Sequence, residues 1–403
     1  MTKSPTSSHL LPVFARADVA FERGEGAWLI GTDGERYLDF TSGVAVNALG
    51  HAHPQLVAAL QDQATKLWHM SNLFKSPDGE RLAARLCEQS FADYVFFANS
   101  GAEAVECAIK ITRRHQAAKG HLERFRIVTF EGAFHGRTLA TLAATGSERY
   151  LEGFGPPLEG FDQVPLGDIE AVKHAIGPDT AGILIEPLQG EGGVRSPTNE
   201  FLRELRELCD ANGLLLIFDE VQTGMGRLGT LFAYQRTGVT PDVMSLAKAL
   251  GSGFPIGACL ATAEAAEGMT PGSHGSTFGG NPLAVAVANA VLDVMLAPGF
   301  FDHVQRLSLL LKQKLGAVLE RHPDIVSEVR GEGLLIGLKA VVPAADLVTA
   351  LRNARLLTVG AGDNVVRLLP PLVSTEADIE EAVKKIEQAC AAMSRTASAQ
   401  GVA

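Results

Sequence analysis

The chain has little cysteine and a deficit of positive charge. Its five cysteines are scattered over 403 residues with no CxxC spacing, which argues against a disulfide framework or a cysteine metal site. Lysine and arginine number 35 against 46 aspartates and glutamates. The net charge of −11 argues against a nucleic-acid or anionic-membrane partner, since both need a basic face. An anionic substrate must therefore be captured by local arginines.

The chain also lacks long apolar runs. Residues 1–21 contain no apolar core like that of a secretory leader, and no stretch is long enough to span a bilayer. We therefore expect a cytoplasmic protein. Glycine is abundant: the 42 glycines cluster in loops between apolar runs, as is typical of phosphate-binding α/β enzymes. The length predicts a large core and more than one domain.

The order of apolar patterns predicts an α/β fold. Short apolar runs alternate with amphipathic helices through the middle of the chain, which indicates a mostly parallel sheet with helices on both faces. The four strands predicted there are 94–98, 126–130, 181–186 and 214–218. Asn199 is the predicted cap of the helix before the last of them. A small sheet around the Asp33-Gly34 turn precedes this region, and an α+β pattern follows it. The predicted units are an N-terminal segment 1–50, a large domain 51–285 and a C-terminal small domain 286–403.

Asp219 and Lys248 are the two residues on which a chemical function can be predicted. Asp219 ends an apolar run, and ligands of open α/β sheets lie beyond the carboxyl ends of such strands. Lys248 follows in a loop of small residues. Pyridoxal phosphate (PLP) needs a lysine for a Schiff base and an acid facing its pyridine nitrogen. The pair therefore predicts a PLP site, with Lys248 as a desolvated nucleophile of lowered pKa.

Other motifs carry groups that such a site requires, although each alone would also fit an ordinary turn or core. Ser100-Gly101-Ala102 falls between a strand and a helix, where backbone N–H groups suit a phosphate. Phe134 offers a ring for stacking on the cofactor. Arg137 would be an odd charge to bury without a partner, and a substrate carboxylate suits its guanidinium. The remaining polar candidates are Gln222 for the ring's phenolic oxygen, Thr277 for the phosphate and Ser276 for a substrate oxygen, while Glu220 is expected to form a structural pair.

Two motifs are also found in other kinds of site, a dinucleotide site and a metal site. Residues 224–229 read Gly-Met-Gly-Arg-Leu-Gly, the dinucleotide-binding fingerprint. In that fold the first glycine follows the strand directly, whereas here residues 219–223 intervene, so a dinucleotide site is disfavoured. His51 and His53 form an HxH pair that could bind a metal. Because no acidic or cysteine partner lies near them in the sequence, we expect a cap or turn contact and no metal.

The motifs together resemble those of the class III (subgroup II) aminotransferases. These enzymes carry a Ser/Thr-Gly-Ala turn, Phe-His-Gly, Glu-Pro-x-Gln-Gly-Glu, Asp-Glu-Val-Gln, a lysine loop and Gly-Ser/Thr-Thr-Phe-Gly-Gly-Asn-Pro. All of them occur here in that order. Within the class, the chain is similar to acetylornithine aminotransferases at residues 46–54, 71–74, 134–138 and 367–372.

The resemblance implies fold type I of the PLP-dependent transferases: a large, mostly parallel-sheet domain and a smaller α+β domain built from the N-terminal segment and the C-terminal region. It implies a homodimer with shared active sites, in which Thr277 reaches the partner's phosphate and Ser276 contacts substrate. Arg137 would bind the α-carboxylate of the amine donor. Arg367 would bind that of 2-oxoglutarate, and Glu191 would be a gate that neutralises Arg367 when the other substrate is bound.

The activity implied is transfer of the δ-amino group of N2-acetyl-L-ornithine to 2-oxoglutarate in arginine biosynthesis. Phe14 stands where these enzymes usually have a tyrosine, which favours the acetylated substrate over one with a free α-amino group. Succinylornithine, ornithine, 4-aminobutyrate and N-succinyldiaminopimelate remain open as donors, because a pocket discriminates weakly between a methylene more or less. A PLP aminomutase and a non-catalytic PLP-fold binding protein are the alternatives from other classes.

Overall fold

The computed structural model describes residues 9–400, with side chains through residue 395. A small antiparallel sheet and three helical segments come first, and the Asp33-Gly34 turn joins the last two strands as predicted. Gly34 has φ of +80°, a left-handed conformation that glycine adopts without strain. The elements are β1 (Phe21–Glu25), β2 (Trp28–Gly31), β3 (Arg36–Asp39), α1 (Ser42–Ala45), α2 (Pro54–Ala64) and α3 (Pro77–Glu88).

A seven-stranded sheet forms the centre of the molecule. Its strands are β4 (Tyr94–Ala98), β5 (Arg126–Phe130), β6 (Phe161–Val164), β7 (Thr180–Ile185), β8 (Leu215–Asp219), β9 (Val243–Leu246) and β10 (Gly257–Ala261). Their order is β4-β10-β9-β8-β7-β5-β6, and β10 runs antiparallel to both of its neighbours. The pairs from β9 to β6 are all parallel. The predicted mostly parallel sheet is therefore confirmed.

Helices cover both faces of this sheet, because its strands are apolar on both sides. Ile217 packs with the helix that follows β4, whereas its neighbours Leu216 and Phe218 pack on the opposite face with the helix that precedes β8. The latter helix is capped by Thr198, whose hydroxyl accepts from the Phe201 N–H at 3.1 Å. The predicted cap at Asn199 is thus wrong by one residue. The helices are α4 (Gly101–Ala118), α5 (Leu139–Thr145), α6 (Glu148–Leu151), α7 (Ile169–Ala175), α8 (Asn199–Asn212) and α9 (Tyr234–Thr237).

The C-terminal region adds an α+β layer. It comprises α10 (Pro282–Met295), α11 (Phe300–Arg321), β11 (Val326–Glu332), β12 (Leu335–Ala340), α12 (Ala344–Asn353), β13 (Leu356–Leu357), β14 (Val359–Ala361), β15 (Val365–Leu368) and α13 (Glu376–Gln400). Strands β11-β12-β15-β14 form an antiparallel sheet. The short β13 instead pairs in parallel with β3, so the N-terminal sheet is completed by the C-terminal region. The domain boundaries at residues 50 and 285 stay a prediction.

Two helices of this region bear on the membrane question. Among the described residues, no single helix is long and apolar enough to cross a membrane. The helices α10 and α11 have the length and apolar composition of a membrane span only when they are taken together, and the angle of the bend between them is 72°.

Candidate active site

A cavity of about 430 Å³ opens where the carboxyl ends of β4, β5, β7, β8 and β9 meet. This is the edge at which open α/β sheets bind ligands. Nine of the residues predicted from the sequence line it: Ser100, Gly101, Ala102, Phe134, Arg137, Glu191, Asp219, Gln222 and Lys248. Three predicted residues are not among its lining residues: Ser276, Thr277 and Arg367.

Asp219 is the last residue of β8 and is 3% exposed. Its Oδ2 lies 2.7 Å from Nδ1 of His135, and its Oδ1 accepts from the Val221 N–H at 3.0 Å. Both oxygens are therefore oriented by neighbours. His135 was not predicted as a functional residue. Its position directly after Phe134 in the Phe-His-Gly motif is the signal that could have identified it.

Lys248 begins a turn immediately after β9 and lines the same cavity. Its φ of +45° is a left-handed conformation that a side-chain-bearing residue rarely adopts. Burial lowers the pKa of the Lys248 amine, while the carboxylates of Glu191 and Asp219 oppose that effect. A lowered pKa leaves a larger fraction of the amine neutral at a given pH, which makes it a better nucleophile and base.

Glu186 is a buried acid that the sequence did not single out. It follows β7, and its Oε1 accepts from the Phe134 N–H at 2.8 Å. Burial raises the pKa of this carboxyl well above its ordinary value, and the nearby Asp219 adds to the rise. Glu186 thus orients the loop that carries Phe134. It opens the Glu-Pro-x-Gln-Gly-Glu motif, which was the available signal.

The N-terminus of α4 forms one end of the cavity. Ser100 is its cap, and the Ser100 hydroxyl accepts from the Glu103 N–H at 3.3 Å. The first N–H groups of a helix have no partner within the helix, so this end suits a phosphate. A Cβ on Gly101 would lie 2.7 Å from a methyl carbon of Val221. Glycine is therefore required by the close approach of Val221, a lining residue that sequence reasoning missed.

Arg137 is exposed at the cavity, so the expectation that it would be buried is wrong. Its guanidinium carbon lies 3.8 Å from the ring centre of Tyr150 and 5.4 Å from that of Phe134. Among the residues described, no carboxylate forms an ion pair with it. Two aromatic rings thus position this cation at the mouth of the cavity, where its N–H groups are open to an anionic ligand.

Arg367 lies in β15 and is 1% exposed. Its Nη1 donates to Glu191 Oε1 at 2.6 Å and lies 3.5 Å from Gln222 Oε1, and its Nη2 donates to the Gly360 carbonyl at 3.1 Å. Glu191 itself lines the cavity, with 28% of its side chain exposed. The carboxylate of Glu191 therefore stands between this arginine and the cavity.

The loop with Ser276 and Thr277 lies at the edge of the site. The Ser276 hydroxyl accepts from the Gly279 N–H at 3.0 Å and lies 3.1 Å from Nδ2 of Asn99, the residue before the predicted phosphate turn. Thr277 and Phe278 are exposed, Phe278 by 60%. Phe14 is 73% exposed and does not line the cavity.

Other expectations have mixed outcomes. His51 does have an acidic neighbour in space, since its Nε2 lies 2.8 Å from Asp39 Oδ2. Within residues 9–395, no group of three or more potential ligands could hold a metal.

Glu220 accepts from the backbone N–H groups of Ala233 at 2.6 Å and Tyr234 at 2.8 Å. Its partners are thus backbone amides, so the structural contact of Glu220 is made with the main chain.

The residues at this cavity fit PLP. They provide a lysine of lowered pKa, a buried and oriented acid at a strand end, an aromatic ring and a helix N-terminus that begins at a glycine packed against Val221. The family model described as Aminotransferase class-III matches residues 13–390. The chain therefore belongs to the class III aminotransferases, which are PLP-dependent enzymes, and the predictions of fold type I, of this family and of PLP are confirmed.

Relatives of high identity carry more specific names than the family model. The chain is 78% identical to acetylornithine aminotransferase 1 of Bradyrhizobium diazoefficiens, over 98% of this chain and 97% of that protein. It is 62% identical to the acetylornithine aminotransferase of Agrobacterium fabrum, over 95% and 96%. Among solved structures, N-acetylornithine aminotransferase from Stenotrophomonas maltophilia K279a has a TM-score of 0.83 at 38% identity, covering 95% of this chain and 98% of that one. Ornithine aminotransferase from Toxoplasma gondii ME49 has 0.92 at 32%, covering 96% and 94%.

Proposed function

We propose that this aminotransferase transfers the δ-amino group of N2-acetyl-L-ornithine to 2-oxoglutarate, giving N-acetyl-L-glutamate 5-semialdehyde and L-glutamate, a step of arginine biosynthesis. The observation that carries the proposal is a pair of differently placed arginines: Arg137 lines the cavity, and Arg367 lies behind Glu191, which lines it. The names of the relatives at 78% and 62% identity support the choice of donor.

In this proposal the residues of the cavity have distinct tasks. Lys248 would hold PLP through its amine, Asp219 would face the ring nitrogen, and Ser100 to Ala102 would hold the phosphate. When bound, PLP supplies an aldehyde for the substrate amine and a ring that withdraws electrons from the carbon losing a proton. The Lys248 amine is the base that moves this proton from the δ-carbon of the donor. His135 keeps the Asp219 carboxylate in a fixed orientation through the 2.7 Å contact.

The two arginines would serve the two substrates in turn. Arg137 binds the α-carboxylate of the acetylated donor, and Glu191 meanwhile neutralises Arg367. The second substrate, 2-oxoglutarate, has two carboxylates, and its α-carboxylate displaces Glu191 from Arg367. A guanidinium exchanges one carboxylate for another with the same geometry, so the exchange keeps the buried charge paired.

A homodimer with shared active sites is part of the same proposal. Thr277 and its exposed neighbour Phe278 lie on a loop that does not line this chain's own cavity. The apolar side chains of Trp68, Leu73 and Phe74 are also 65%, 89% and 70% exposed, and covering them would favour association. Sedimentation is expected to give twice the mass of one chain. Cytoplasmic location stays a prediction.

The decisive experiment is a comparison of initial rates with 2-oxoglutarate across a panel of donors. We expect the largest kcat/KM for N2-acetyl-L-ornithine among this donor, N-succinylornithine, ornithine, 4-aminobutyrate and N-succinyldiaminopimelate. A larger value for another donor would replace the proposed substrate. Sustained turnover without any 2-oxo acid would indicate an aminomutase. Lys248→Ala is the control for rates unrelated to the site, and turnover by this variant equal to that of the wild type would refute the role of Lys248.

A further inference from the structure

Arg227 is a buried arginine in the glycine-rich turn of residues 224–229, outside the cavity. It is 0% exposed. Its Nη1 donates to the backbone carbonyl of Pro370 at 2.6 Å and to that of Leu334 at 3.1 Å. Its Nε and Nη2 have no hydrogen-bond partner within the described part of the chain, and no carboxylate pairs with it there. Burial lowers the pKa of Arg227 to about 9. A buried cation without a counter-ion is destabilising, so its two contacts call for an explanation.

The two carbonyls that Arg227 contacts lie next to the strands around Arg367, one just before β12 and one after β15. Pro370 follows β15, the strand in which Arg367 lies. Leu334 lies in the turn between β11 and β12, and β12 pairs with β15 so that Gly337 faces Arg367. The Arg227 carbonyl also accepts from the Leu334 N–H at 2.9 Å. Arg227 is thus bonded to the turn that leads into β12 and to the segment that follows β15.

The other side of the same segment is bonded to the N-terminal region. The Leu369 N–H donates to the Phe40 carbonyl at 2.7 Å, and the Ser42 hydroxyl donates to the Leu369 carbonyl at 2.6 Å. These bonds come from the N-terminal region and not from the large sheet. The side chain of Arg227 supplies a bond from the turn that continues β8, the strand that ends at Asp219.

We propose that Arg227 is a positioning residue for the 2-oxo acid: it holds the Pro370 carbonyl and thereby sets where the Arg367 guanidinium lies relative to the cavity. The inference rests on the proposed role of Arg367 in binding a carboxylate of 2-oxoglutarate. Without the Arg227 side chain, the segment after β15 keeps its bonds to Phe40 and Ser42 but loses its bond to the turn after β8, and Arg367 shifts with it. The amine donor is unaffected, because Arg137 lies on the loop after β5, a different strand.

The test is Arg227→Met, which removes the N–H donors and the charge but keeps an unbranched side chain. We expect KM for 2-oxoglutarate to rise by about ten- to a hundredfold, since small displacements of a binding group have effects of this size. KM for the amine donor and the rate of the amine half-reaction are expected to stay within about twofold of the wild type. The substitution leaves the groups that bind the amine donor unchanged. Binding of glutarate, an unreactive dicarboxylate, should weaken in parallel when measured by calorimetry.

Two further variants separate positioning from a general structural role. Arg236→Met is the matched control, because Arg236 bonds the Leu228 carbonyl at 2.5 Å and Glu332 at 2.7 Å, joining the same turn to the β11–β12 hairpin without touching Pro370. It should leave KM for 2-oxoglutarate unchanged. Arg227→Lys keeps the charge and one group that can donate to a carbonyl, so it should restore part of the affinity for glutarate. If the methionine variant does not fold, the lysine variant tests whether Arg227 positions Arg367.

The outcomes distinguish this inference from the proposed function. If Arg367→Met raises KM for 2-oxoglutarate and neither Arg227 variant does, the positioning role is overturned and the proposed function stands. If Arg367→Met leaves that KM unchanged, the role of Arg367 itself fails. Equal losses in both half-reactions, or an equal effect of Arg236→Met, would mean that Arg227 acts only on the stability of the turn.

Discussion

Arg367 and Arg227 are both buried, 1% and 0% exposed, but they face different partners. Arg367 pairs with Glu191, a side chain that is itself partly exposed to the cavity. Arg227 bonds the backbone carbonyls of Leu334 and Pro370. A carboxylate side chain can rotate away and be replaced by another carboxylate, whereas a backbone carbonyl cannot leave without moving the chain. A buried arginine with a side-chain partner therefore suits ligand exchange, and one with backbone partners suits a fixed geometry.

The same contrast separates two acids of the site region. Glu191 faces an arginine and lines the cavity, whereas Glu220 is 1% exposed and accepts from two backbone amides. Burial raises the pKa of Glu220 to about 7, and the two amides only partly oppose that rise. Glu191 is thus placed for exchange and Glu220 for holding the chain after β8.

The largest expected effect comes from removing the exchangeable arginine. Arg367→Met leaves the partly exposed Glu191 opposite no cation and removes the proposed binding group of the 2-oxo acid. We expect kcat/KM for 2-oxoglutarate to fall by about a thousandfold, which is typical for truncating one member of a buried charge pair. Single-turnover rates of each half-reaction measure it. An amine half-reaction that falls equally would contradict the assignment of Arg367 to one substrate.

The buried Glu220 should make the free energy of unfolding depend on pH. The folded-state pKa of Glu220 is raised from 4.5 to about 7, so the native protein retains a proton that the unfolded chain releases in this window. The free energy of unfolding of the wild type should therefore fall, relative to Glu220→Gln, as pH rises from 4.5 to 7, by up to about 3 kcal/mol, and level off above it. Denaturant unfolding at several pH values measures the difference. A difference that stays constant with pH would show that Glu220 is not the titrating group.

The smallest effect is expected from weakening the exchangeable acid. Glu191→Gln removes the carboxylate that competes with the substrate for Arg367, so KM for 2-oxoglutarate should fall by about three- to tenfold, the range of a modest electrostatic coupling. Reactions with the acetylated donor should slow, because Arg367 is then left uncompensated during that half-reaction. Steady-state kinetics with each substrate varied in turn measure both. A rise in KM for 2-oxoglutarate would mean that Glu191 assists binding of the acid and does not compete with it.

Much of the site could be predicted because its residues follow strands. Apolar runs identify parallel strands, and parallel strands bring their carboxyl ends to one edge. The residues after β4, β5 and β8 were therefore expected to meet, and they line one cavity. Lys248 lines it too, although the strand before it, β9, was not among the predicted strands. Their roles as cofactor and substrate ligands stay proposals. Boundaries were less accurate, as at the cap of α8, because threonine and asparagine both cap helices well.

The contacts that sequence reasoning missed join residues far apart in the chain. His135 and Asp219 are 84 positions apart, and Arg227 and Pro370 are 143. No local pattern encodes such pairs, because a polar residue in a loop looks the same whether it faces water or a distant carbonyl. The literal dinucleotide motif of residues 224–229 is an example: its arginine has an environment that only the packing of β11, β12 and β15 defines.

By itself, then, the sequence determined the strand–helix order, the family and the chemical type of each residue at the cavity, including the lysine and the acid. These properties depend on local composition and spacing, which the chain carries before it folds. Only the tertiary structure decided which buried charges meet another side chain and which meet a backbone carbonyl or amide. Such contacts exist only once the N-terminal, central and C-terminal regions have packed together.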